Sequence, residues 1–125
     1  MPAEFTDVFA TLKPVLAKHA RRLAVKTDTA TKYAVVGKTA SPFPQHKGQP
    51  MEFGSVVVGK AYVSFHLMPI YMSEPLQKSI PAELKKRMQG KSCFNFKSVP
   101  EPELVAELGR LTDAAFKSWD EKKWL

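Results

Sequence analysis

"MEFGSVVVGKAYVSFHLM", Met51 to Met68, consists of two β-branched and aromatic runs on either side of Gly59-Lys60. Glycine at the first central position of a two-residue turn suits type II′, whose twist matches paired strands, so the stretch predicts an antiparallel hairpin. Strand side chains alternate. Ala61, Val63, Phe65 and Leu67 therefore share one face, and Tyr62, Ser64, His66 and Met68 the other. The first set is wholly apolar and belongs under helices. Carried back through the turn, the register puts Val56 and Val58 on the core side and Phe53, Ser55 and Val57 on the side of His66.

Working outward, Phe5, Val8, Phe9, Leu12, Val15 and Leu16 recur at three- and four-residue steps and predict an N-terminal amphipathic helix. Pro14 lies within it and is expected to kink the helix or set its effective start, because proline lacks the N–H that the ladder needs. "LAVKT" and "KYAVVGKT" read as two strands joined through "DTAT". The proline-rich "ASPFPQHKGQP" reads as a surface loop. Beyond the hairpin, "SIPAELKKRMQGK" predicts a short helix with Ser79 as N-cap, Pro81 in the first turn and Gly90 at the left-handed C-terminal position. "SCFNFKS" is then a last strand, with Phe94 and Phe96 facing the core and Cys93, Asn95 and Lys97 facing away. A closing helix carries Leu104, Val105, Leu108, Leu111, Ala115, Phe116 and Trp119 at helical spacing, with Pro102 near its start.

This order predicts an α+β fold: an antiparallel sheet of about five strands, with N-terminal, short middle and C-terminal helices packed on one face and the other face open or partly covered. At 125 residues, the chain reads as one domain, residues 1–125. Hydrophobic residues make up 44% and charged residues 25%, proportions of a globular domain rather than a disordered chain. Phe53 to Met72 contains one charge, Lys60, but its glycines, Pro69 and polar side chains mark strands rather than a membrane span. Glu4 and Asp7 stand where a secretion signal needs basic residues. A single cysteine permits no internal disulfide, so a reducing cytoplasm is the expected setting. The net charge of +7 favours anionic partners without specifying one.

The face opposite the core brings together Tyr62, Ser64, His66, Met68, Cys93 and Asn95, a mixture of aromatic, hydroxyl, imidazole, thioether, thiol and amide groups. Polar groups on apolar walls suit a small ligand. Packing is the alternative reading for Tyr62 and Met68, and bonding to a neighbour is the alternative for His66 and Asn95. Arg87 and Lys91 are placed at the rim, where Lys85, Lys86, Arg87 and Lys91 either complement the end of the short helix or clamp an anion, Arg87 with its planar fork above all. Cys93 and His66 could form a nucleophilic pair, yet no third group orients them and no catalytic constellation is evident. His46, His66 and Cys93 lack chelate spacing, and no phosphate-binding glycine loop follows a strand, so neither a metal nor a cofactor is called for.

"AYVSFHLMPIYM", then "LKKRMQGKSCFNFK" and an "ELxxL"-type terminal helix, resembles the YdhG-like group of bacterial domains of unknown function, from about Leu12 to Phe116. The resemblance implies an antiparallel sheet with flanking helices, similar in outline to frataxin. Frataxin-like shape also implies an iron chaperone, whose surface would need clustered carboxylates; here the first helix carries Glu4 and Asp7 and then turns basic through Lys18, His19, Arg21 and Arg22. The leading expectation is a non-catalytic domain binding a small anionic or polar ligand on the His66 face. An iron chaperone and a protein- or nucleic-acid-interaction module stand as alternatives, and the oligomeric state is left open.

Overall fold

A computed structural model describes residues 3–40, 43–90 and 92–124, without the side chains of Ala3 and His46. Lys91 lies outside the described residues. The fold is α+β. Among the described residues, its six strands are β1 (Ala24–Asp28), β2 (Lys32–Val36), β3 (Glu52–Val58), β4 (Val63–Leu67), β5 (Met88–Gln89) and β6 (Cys93–Phe96). They form one antiparallel sheet in the order β1-β2-β3-β4-β6-β5. Five α-helices, α1 (Ala3–Ala17), α2 (Met68–Met72), α3 (Glu74–Lys78), α4 (Ala82–Lys85) and α5 (Pro102–Glu121), accompany it among the described residues, with short 3-10 turns at Ala20–Arg22 and Pro44–His46.

Helix α1 forms because its apolar residues fall on one side: Phe5, Val8, Phe9, Leu12 and Leu16 are all buried. It packs on β3 and β4 and against α5. Pro14 does not set its start. The helix begins at Ala3 and runs through Pro14, whose carbonyl accepts the Lys18 N–H at 3.1 Å. Pro14 is exposed, so its ring points to solvent, and burial of the opposite face offsets the lost ladder bond. In α5, Pro102 occupies the first turn, and Leu104, Leu108, Leu111, Ala115 and Trp119 are buried against the other helices and the sheet.

The hairpin is present, and Val56, paired with Phe65, and Val58, paired with Val63, face the core as expected, whereas Ala61, expected on the same face, is exposed at the turn. Its turn differs. Gly59 N–H donates to the Tyr62 carbonyl at 2.9 Å, which makes Lys60-Ala61 the central pair, one residue along from the expected turn. Neither residue has a positive φ, so no primed turn forms. Gly59 instead permits a close approach, since a Cβ there would lie 3.1 Å from the Tyr62 carbonyl.

The middle segment departs most from expectation. Three one-turn helices occupy 68–85, and Ser79 ends α3 rather than starting α4, whose N-cap is Pro81. Gly90 does adopt the left-handed conformation, at φ +75°, but in the turn from β5 to β6. The sixth strand, β5, arises where Arg87–Gln89 leaves α4 and pairs with β6, Asn95 N–H donating to the Arg87 carbonyl at 2.8 Å.

Candidate functional site

Registers across β3, β4 and β6 set the site. Ser55 stands opposite His66, His66 opposite Cys93, and Ser64 opposite Asn95, so all five lie on the face away from Phe65 and Phe94. Phe53 does not join them. The register between β2 and β3 shifts at this point: Val35 pairs with Gly54, but Val36 pairs with Glu52. Phe53 is the extra residue of a β-bulge, which turns its side chain to the core, 5.5 Å from Trp119 between ring centroids. The same bulge delivers Glu52 to the face of His66.

Tyr62, Ser64 and Asn95 form one polar network with Gln89. Ser64 Oγ donates to Asn95 Oδ1 at 2.9 Å, and Asn95 Nδ2 donates to Gln89 Oε1 at 2.9 Å. Tyr62 Oη donates to the same Gln89 oxygen at 3.0 Å. Beside this network lies a concavity of about 600 Å³ lined by Tyr62, Gln89, Asn95, Lys86, Arg87 and Lys97. Arg87 is placed opposite Asn95 by the β5–β6 pairing. One guanidinium nitrogen donates to the Glu83 carbonyl at 2.9 Å, and the guanidinium carbon sits 5.8 Å from the Phe96 ring centre. It thus completes the end of α4 as well as bordering the concavity. Lys86 pairs with Glu83 at 3.0 Å, whereas Lys97 has no ion pair among the described residues. On its other side Arg87 borders a cleft lined by Glu83, Glu101, Glu103 and Glu107.

His66 and Cys93 lie farther along the same strands. His66 Nδ1 is 3.7 Å from Glu52 Oε1, an ion-pair distance too long for a strong hydrogen bond. Glu52 was not apparent as a site residue because strict alternation places it on the core side; only the bulge moves it. Contact with His66 pulls its carboxyl pKa below the ordinary carboxylate value, Ser55 adds to this, and burial opposes it. Burial pushes the Cys93 thiol pKa upward, the Glu52 carboxylate adds to the rise, and a hydrogen bond with Ser92 opposes it. A nucleophilic cysteine needs the reverse. Glu52 supplies the third group that a Cys–His pair would use, but burial, with the Glu52 charge adding to it, disfavours the thiolate.

Met68 is not on the strand face. β4 ends at Leu67, and Met68 begins α2, where it lines a separate apolar cavity with Glu52. The expected set therefore divides into the network of Tyr62, Ser64 and Asn95 beside Arg87, the pair of His66 and Cys93 beside Glu52, and Met68. Among the described residues, no three His, Cys, Asp or Glu side chains gather where they could hold a metal ion. No described helix is long and apolar enough to cross a membrane. Comparison with protein-family models, curated proteins and solved structures returns no match.

Proposed function

We propose that the chain is a non-catalytic binding domain of YdhG-like type, and that it takes a small anion, a carboxylate or phosphate compound, on the open sheet face. One observation carries the reading: Arg87 and Lys97 border the same concavity as the Tyr62–Gln89–Asn95 network. The arrangement combines a planar fork, a lysine without an ion pair, and hydroxyl and amide groups already oriented by one another. Such a set gives an anion charge-assisted hydrogen bonds at little ordering cost. The YdhG-like assignment rests on the "AYVSFHLMPIYM" and "LKKRMQGKSCFNFK" segments, which contribute the strand and the basic rim of this site.

The test is a ¹H–¹⁵N NMR titration at low salt with citrate and with inorganic phosphate. Shifts should gather at Arg87, Gln89, Asn95 and Lys97. Arg87→Gln should weaken binding about tenfold, or about 1.4 kcal/mol. Shifts confined to the basic segment after α1, at Lys18, Arg21 and Arg22, would show general charge attraction instead and remove the assignment.

A further inference from the structure

A cavity of about 520 Å³ opens between the entry to β3, the proline-rich connection before it, and α2. Phe43, Met51, Met68, Tyr71 and Met72 line it with Glu52. Its volume falls within the range of about 300–1,000 Å³ usual for small-ligand sites. Three of the chain's five methionines meet here. Met68 and Met72 are one helical turn apart and so share a side of α2. Pro69 and Ile70, between them, are buried and anchor the helix to the core. Tyr71 stands 60% exposed at the same wall, a large apolar surface left in water.

Apolar lining alone admits many ligands, because thioethers adapt to flat and aliphatic bodies alike. Glu52 narrows the class. It is the one charged side chain among the lining residues, and it is acidic in a chain of net charge +7, so the cavity's sign opposes that of the molecule. Its position is set by the Phe53 bulge, and His66 and Ser55 hold its carboxyl in the ionised form. A ligand ammonium placed against Glu52 would have Tyr71 and Phe43 nearby, whose ring faces attract a cation while their bodies pack against carbon.

We propose that this cavity binds an organic cation with a compact apolar body, an aryl- or alkylamine, its ammonium against Glu52 and its body against Met51, Met68, Met72 and Tyr71. The site is separate from the anion-binding concavity and takes a ligand of opposite charge, so either assignment can fail without the other.

Methionine methyl groups labelled with ¹³C provide the readout. The folded protein is titrated at neutral pH with 2-phenylethylamine, 2-phenylethanol and phenylacetate, a cation, a neutral compound and an anion with the same ring. The amine should shift the methyls of Met51, Met68 and Met72, leave Met88 in place, and bind at least about fivefold more tightly than the alcohol, close to 1 kcal/mol. Glu52→Gln should reduce amine affinity to that of the alcohol while leaving the alcohol unchanged. Tyr71→Ala, at an exposed position that spares the core, should weaken both. The proposal is overturned if the alcohol or phenylacetate binds the unmodified protein as tightly as the amine, if no probe moves the three methyls, or if Glu52→Gln leaves amine binding intact.

Discussion

Glu52 and Phe53 exchange the places that strict alternation assigns them, and the exchange determines the chemistry of both. Phe53 is fully buried against Trp119, whereas Glu52 meets His66, and its side chain is about one-third exposed. A carboxyl whose folded pKa lies below its unfolded value of 4.5 adds stability above that value and loses it as pH falls through the folded pKa. The charge attraction also requires His66 to carry its proton, while the Ser55 contribution does not. Unfolding free energies from urea titrations of the unmodified protein and Glu52→Gln, compared from about pH 5.5 to about pH 3, should therefore differ by less than about 1 kcal/mol at the upper end and converge at the lower. A gap that widens on acidification would contradict this account of Glu52.

At the scale of elements, the β3–β4 hairpin is held by close approaches that only glycine allows. A Cβ on Gly54 would lie 2.8 Å from the His66 carbonyl and 2.9 Å from Leu16 Cδ2, caught between the neighbouring strand and α1. The carbonyl belongs to the sheet backbone and cannot rotate away. Gly54→Ala should cost about 1–3 kcal/mol in chemical denaturation, through overpacking. Gly109→Ala is the control. It lies within α5 with nothing within 4 Å of its added carbon, and should raise stability by up to about 1 kcal/mol. Equal effects at the two positions would show that backbone entropy, not the packing of α1 on the hairpin, limits Gly54. The turn just after α1 is clasped to α5: Asp113 receives Lys18 at 3.1 Å and His19 at 2.8 Å, with His19 stacked on Phe116 at 4.4 Å.

Across the whole molecule, a chain of rings links the proline-rich connection to the core. Phe43 meets Trp124 at 5.8 Å, Trp124 meets Trp119 at 6.1 Å, and Trp119 meets Phe53 at 5.5 Å, each edge to face. Phe43, in the wall of the apolar cavity, thus contacts Trp124, a residue just past α5 and far away in sequence. Trp124→Ala should lower stability by about 1–2 kcal/mol and speed limited proteolysis between residues 43 and 50. Unchanged cleavage would show that Phe43 is held by other contacts. Trp119 Nε1 is buried without a hydrogen-bond partner among the described residues, so this tryptophan contributes through ring packing rather than through its N–H.

How much of this was legible in the chain follows from the range of the forces involved. The apolar period of α1 and α5, the alternation in Val63–Leu67 and the pairing of two valine-rich runs are local, and they determined the α+β class, the core faces and the placing of Ser64, His66, Cys93 and Asn95 on one side. Two-residue β5 and the one-turn helices at 68–78 carry too little periodicity to register, because so few residues complete barely one cycle of either pattern. The bulge at Phe53 was equally hidden. Nothing in "MEFGS" marks an extra residue; burying the phenylalanine beside Trp119 outweighs the ladder that alternation would have kept. That tertiary preference brought Glu52 to His66, while the end of β4 at Leu67 put Met68 on α2 and the β5–β6 pairing set Arg87 at the same concavity as Tyr62 and Asn95. Periodicity sorts side chains by face, but only packing between distant segments decides which of them meet.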